Sequence, residues 1–150
     1  MSRRNSGSSI AWLPLGLLVC VLSGCGKGGP TLVEVEGSVN VDGKPTEGVN
    51  LIFFPKDKAL KLIPSATSDA NGKFKLATDA RNGVPAGSYD ITATYPDPAV
   101  KPTESQRMQG LGDPGPDLFN GKYVKKDTSG LKADITAGSK TLPPLELTRN

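Results

Sequence analysis

The amino-acid sequence predicts an all-β sandwich, and three observations carry that expectation. From Leu32 onward apolar and polar residues alternate with a period of two, the pattern of strands that bury one face. The strand-like runs are short, recur at intervals of roughly 8 to 12 residues and are punctuated by Gly, Asp, Asn and Pro. No stretch of this region sustains the 3.6-residue period of an amphipathic helix. The 150 residues suit one domain. Both cysteines, Cys20 and Cys25, precede the strands, so no disulfide staples them.

The residues before the strands read as a leader. Arg3 and Arg4 give a positive start and Ile10 to Leu22 an apolar run. As a helix this run would span only about 20 Å, short of a bilayer's hydrocarbon core, and Pro14 interrupts it. The pattern is that of a secretory signal peptide. It ends in Leu22-Ser23-Gly24-Cys25, which resembles the bacterial lipobox: an apolar residue, two small residues that let a peptidase grip extended backbone, and a cysteine whose sulfur accepts a diacylglyceryl group. The resemblance implies cleavage between Gly24 and Cys25 and a lipid on Cys25. Two acyl chains would meet the requirement for stable anchoring. An ordinary signal peptide that happens to end near a cysteine is the alternative. Gly26 follows where an aspartate would favour inner-membrane retention, so the same resemblance points to the outer membrane, facing the periplasm or the exterior. Arg3-Arg4 also invites a twin-arginine reading, but Asn5-Ser6-Gly7 lacks the apolar continuation of that signal. The expected organisation is a leader over 1–24, a flexible tether over 25–31 and a β domain over 32–148.

The strands follow in order. In VEVEGSVNV, Val33, Val35, Val39 and Val41 share one face, and Glu34, Glu36, Ser38 and Asn40 the other. Asp42-Gly43 supplies the positive φ angles of a tight reversal. VNLIFF (49–54) is apolar on both faces, which predicts a central strand covered on each side and stopped by Pro55. A charged loop then leads to a short strand near residues 65–68, and DANG (69–72) makes the next turn. KFKLAT points Phe74 and Leu76 inward, and SYDITATY aligns Tyr89, Ile91, Ala93 and Tyr95. Residues 96–117 carry five prolines and read as a long surface loop, the natural seat of recognition. GLKADI and LPPLELT supply the last two strands.

VEGSVNVDGKPTEGVNLIFFP, SATSDANGKFKLAT and VPAGSYDITATY, in that order, resemble the carboxypeptidase-regulatory-like, transthyretin-like domain. NGKYVKKDTSGLKADITAG resembles the ending of small bacterial envelope lipoproteins that carry it. The likeness covers Leu32 to Leu147 and implies a Greek-key sandwich of about seven or eight strands. Phe74, Tyr89 and Ile91 suit the space between two sheets. In peptidases this domain is accessory, and elsewhere it serves adhesion or carbohydrate binding. Such a fold does not by itself imply catalysis.

Composition narrows the function further. Arg3 and Arg4 contribute two of the charges behind the formal +3, and the densest basic spot is Lys122, Lys125 and Lys126, so a nucleic-acid partner is not indicated. The chain has no histidine, the commonest general base and metal ligand. With Cys25 lipidated, no thiol remains for zinc or nucleophilic chemistry. Ser129-Gly130-Leu131-Lys132 fits an acylating Ser-x-x-Lys motif but lacks its partner motifs and reads as a turn entering a strand. Gly110 to Gly115 fits Gly-x-Gly-x-x-Gly without the flanking strand and helix. Asp69 and Asn71 with Gly72 resemble half of a calcium loop, but its ligand-rich continuation and terminal glutamate are absent and a hairpin turn is the preferred reading.

Trp12 lies in the leader, which leaves Tyr95, Phe119 and Tyr123, flanking the long loop, as candidate ligand or partner contacts. The competing and preferred reading is that they pack the end of the sandwich. The expectation is a non-catalytic, lipid-anchored envelope protein acting as a structural or protein-interaction module. It would need no metal and no cofactor beyond the lipid on Cys25, and its partners would be the membrane and an envelope protein or polysaccharide. The alternative is a carbohydrate- or peptidoglycan-binding lipoprotein that uses residues 96–123. The exposed face at Glu34, Glu36 and Asn40 is a further candidate surface.

Overall fold

The computed structural model describes residues 31–79, 81–100, 103–109 and 115–149; the leader, Gly24 and Cys25 lie outside these. Short runs separated by turns form strands β1 (Leu32–Val33), β2 (Glu36–Val41), β3 (Lys44–Pro45), β4 (Asn50–Pro55), β5 (Ser65–Thr67) and β6 (Lys73–Lys75). They continue as β7 (Ala77–Thr78), β8 (Arg81–Asn82), β9 (Val84–Pro85), β10 (Gly87–Thr94), β11 (Leu131–Ile135) and β12 (Leu145–Leu147). One sheet has the order β11-β10-β4-β5-β7-β8, with every neighbouring pair antiparallel. The other is mixed: β2 pairs parallel with β12 and antiparallel with β3 and β6. β1 and β9 form a separate two-stranded ladder. The inward residues of both larger sheets join one core, so the all-β expectation holds in a sandwich-like arrangement.

The alternation decides which residues enter that core. Val35, Val39 and Val41 are buried from the first run, and Glu34 and Glu36 are exposed. Phe74 and Leu76 are buried on either side of exposed Lys75. Tyr89, Ile91 and Ala93 are fully buried along β10. Phe53 links the sheets, with ring centroids 6.3 Å from Phe74 and 6.2 Å from Tyr89. Gly37 occupies an inward slot between Val35 and Val39, directly across the ladder from Phe74. A Cβ there would stand 2.3 Å from Phe74 Cζ, so the missing side chain is what lets the ring lie over β2.

Turns follow the local chemistry. Asp42 and Gly43, at φ 52° and 76°, supply the two left-handed residues that suit a two-residue reversal between paired strands. Asp69 Oδ1 accepts the N–H groups of Asn71 and Lys73, both at 2.9 Å, which closes the next turn.

Several expectations require correction. The run from Leu32 to Val41 is two strands, because β1 pairs with β9 while β2 joins the mixed sheet, and Val35 between them bonds to Leu76 N. VNLIFF is central in its sheet but is not covered on both sides. Leu51 and Phe53 are fully buried, whereas Ile52 is 40% exposed and Phe54 half-buried. Their ladder neighbours on that face are Thr92, Asp90 and Ser65, so the face is polar around them. Strand segments exceed seven or eight because runs such as Lys73–Thr78 break at Leu76 and change partners. The 96–117 region holds a 3-10 turn (Pro98–Val100) and a short helix (Glu104–Met108), too brief to leave a periodic signature.

Two predictions follow from the core. Phe74→Ala and Ile91→Ala should each cost roughly 2–5 kcal/mol in urea unfolding, as cavity-forming changes do. Gly37→Ala should cost about 1–3 kcal/mol by overpacking against the Phe74 ring, while Lys75→Ala should barely move the midpoint. The second concerns alkali. Tyr89 donates from its buried hydroxyl to Pro85 O at 2.7 Å, and burial pushes its phenol above the ordinary 10.0. The unfolded chain therefore ionises first, and the stability held by neutral Tyr89 is present below pH ~10 and lost as pH rises through the folded value. Unfolding midpoints across pH 8–11.5 should fall less steeply in Tyr89→Phe, from a lower neutral starting point. Parallel curves for the two proteins would contradict this.

Candidate functional site

The long loop after β10 is clipped at its base by one carboxylate. Asp117 Oδ1 accepts Tyr95 N at 2.8 Å and Phe119 N at 3.2 Å, and Oδ2 accepts Gly121 N at 3.0 Å. Asp97 N donates to Pro116 O and Leu118 N donates to Tyr95 O, so the two arms of the loop meet as a short bridge at Pro96 and Asp117. Asn120 and Gly121 then take successive left-handed conformations, φ 51° and 77°, which reverse the chain toward Tyr123.

This turn brings Tyr95, Phe119 and Tyr123 together. Phe119 lies 5.8 Å from Tyr95 and meets Tyr123 edge-on at 5.2 Å. Phe119 is fully buried, Tyr123 is 8% exposed and Tyr95 is half-buried. The trio packs the end of the core; stacking a sugar would need an open ring face that Phe119 does not offer. The Tyr123 hydroxyl accepts Thr148 N at 3.2 Å, and Lys122 Nζ, 5.4 Å from the ring centre, donates to Thr148 Oγ1. Burial pushes the Tyr123 phenol up, but the Thr148 bonds and the Lys122 ammonium together hold it below its ordinary value.

The other motif residues also serve the backbone. Ser129 Oγ donates to Ile91 O at 2.6 Å and accepts Leu131 N, which ties the turn to β10, while Lys132 is exposed on β11. Asp69 closes its hairpin, and among the described residues no group of three or more His, Cys, Asp or Glu could hold a metal ion. Of Gly110 to Gly115 only Gly115 is among the described residues. Gly24 and Cys25 lie outside them.

On the face named from Glu34, Glu36 and Asn40, Glu36 pairs with Lys75 at 2.9 Å and Asn40 Nδ2 donates to Glu146. The hydrogen bond and charge of Glu36 hold the Lys75 ammonium above its ordinary value. Glu34, Glu36, Lys75 and Asn82 line a shallow open cleft there.

Sequence reasoning missed two features. Asp117 was not singled out, although Asp-x-x-Asn-Gly is a legible turn signal. Ile52 is exposed and Phe54 half-buried on the face of the six-stranded sheet opposite Leu51 and Phe53. An unbroken apolar run such as VNLIFF does not by itself distinguish a strand covered on both faces from one covered on a single face. No helix among the described residues is long and apolar enough to cross a membrane. In comparisons with known proteins, no family model matches the chain and no curated protein matches it. Fold and site together define an all-β domain whose polar motif residues act as structural clips.

Removing the Asp117 clip should therefore loosen the aromatic end. Asp117→Ala is expected to cost about 2 kcal/mol, the scale for hydrogen bonds to a charged acceptor, and to weaken the near-ultraviolet tyrosine dichroism. Asp117→Asn, with one acceptor oxygen in place of two, should fall between. An unchanged dichroism and midpoint in Asp117→Ala would show that the turn holds without the carboxylate.

Proposed function

We propose that this chain is a lipid-anchored bacterial envelope protein whose transthyretin-like sandwich acts as a structural or protein-interaction module rather than an enzyme. The observation that carries the reading is the Leu22-Ser23-Gly24-Cys25 lipobox at the end of an apolar leader, seven positions before Leu32 opens β1. A tether that short reaches at most about 25 Å, so the domain would ride close to the lipid headgroups. The module reading draws support from Ser129, Asp69 and Asp117, whose side-chain oxygens bond to backbone groups. It also draws support from Ile52, an apolar residue exposed in the middle of a sheet face. An aromatic trio packed on itself lends no comparable support to carbohydrate binding.

The test is lipidation in the native host. Cells fed radiolabelled palmitate should label the wild-type chain, and Cys25→Ser should take no label and keep its leader, because serine offers no thiolate to alkylate. Equal labelling of the two proteins, or cleavage of Cys25→Ser at the same bond, would overturn the lipoprotein reading.

A further inference from the structure

The longest edge strand among the described residues is β11. β11 ends the six-stranded sheet, and among the described residues no strand lies on its other side. The other edges among the described residues are short: β1, β3, β8 and β9 have two residues each, with Pro45 in β3, and β6 and β12 have three, β12 preceded by Pro143-Pro144. Such features blunt an edge. β11 runs five residues, Leu-Lys-Ala-Asp-Ile, without proline.

The register shows which backbone groups remain open. An antiparallel ladder turns alternate residues to opposite sides. Lys56 N donates to Ser88 O on the β4 side of β10, and Ala93 N donates to Tyr123 O on the other side. Even-numbered β10 residues thus face β4 and odd-numbered ones face β11. Leu131, Ala133 and Ile135 stand opposite Ile91, Tyr89 and Gly87 and bond to them. Lys132 and Asp134 therefore aim their N–H and C=O groups at the open edge.

Only registers that place one outward residue opposite another satisfy those groups in an antiparallel partner. Centring on Lys132 or on Asp134 sets like charges face to face, which destabilises a cross-strand pair. Centring on Ala133 sets Lys132 opposite Asp134 of the second copy, twice by symmetry, and exchanges both backbone bonds at each pair. Leu131 then meets Ile135 of the second copy on the inner face. Among the described residues Lys132 makes no ion pair, and Asp90, opposite it in the ladder, is paired with Lys56 at 3.5 Å. We propose that two copies associate through β11, antiparallel about Ala133, to form a continuous sheet. The contact is small and its dimer weak in solution, and it stands whether or not Cys25 carries lipid.

The experiment mixes ordinary and nitrogen-15-labelled full-length chain, in detergent micelles where lipidated, and adds a carbodiimide to join neighbouring ammonium and carboxylate groups. Mass spectrometry should find heavy–light peptides joined between Lys132 and Asp134. Lys132→Asp and Asp134→Lys alone should each weaken association about tenfold in sedimentation equilibrium, by repulsion at two symmetric pairs. The double exchange should restore it to within about twofold. Among the described residues Lys132→Asp removes no ion pair or side-chain hydrogen bond, whereas Asp134 accepts the Ser88 hydroxyl, so Lys132→Asp decides the matter if the Asp134 variants unfold. A chain that stays monomeric, heavy–light links only at other residues, or association indifferent to Lys132→Asp would overturn the proposal.

Discussion

Phe53 stands between Phe74 and Tyr89, and through these ring contacts the two larger sheets share one interior. Phe74 comes from β6, which pairs with β2, while Phe53 and Tyr89 lie on neighbouring strands of the other sheet. The arrangement depends on Gly37, because a Cβ there would overlap the Phe74 ring, which would have to shift from its place over β2. With no disulfide available to the sandwich, burial of these rings and of the valines and leucines around them must hold the layers together.

Around that interior, polar side chains mostly satisfy backbone groups. Ser68 Oγ donates to Thr46 O and accepts Val49 N; Thr78 donates to Gly83 O; Tyr89 donates to Pro85 O. Among the described residues no buried side-chain nitrogen or oxygen lacks a hydrogen-bond partner. A small β domain with many short strands has many chain reversals, and each leaves N–H and C=O groups that a ladder does not reach. Asp117, Asp69 and Ser129 answer that need. The same residue types at the same spacings would look like chemistry in a sequence scan.

The outside of the domain is uneven in the same physical sense. The short edges carry proline or a charge, and the face at Glu36 and Asn40 is tied by Lys75 and Glu146. The six-stranded sheet instead presents Ile52 on one face and the unpaired backbone of Lys132 and Asp134 at its edge. Both lie on the layer built from β4, β10 and β11.

Much of the fold was legible because period-two alternation reports burial directly wherever one face is covered. Val39, Val41, Phe74, Leu76, Tyr89 and Ile91 all fall where their parity puts them. The turns at Asp42-Gly43 and Asp69 to Gly72 were legible because left-handed backbone and side-chain capping are local properties. The candidate site was less so: the packing of Tyr95, Phe119 and Tyr123 at the end of the sandwich could be expected, but not how far each is buried, completely for Phe119 and half for Tyr95. Parity says nothing about what packs on the second face of VNLIFF, which strand lies beside which, or where a run changes partners at Val35 and Leu76. Nor does it reveal the parallel return of β12 onto β2. Local sequence determined the strands, their inward residues and their turns. The exposure of Ile52, the burial of Phe119 and the free edge of β11 depend on residues distant in the chain, so only the tertiary structure decided them.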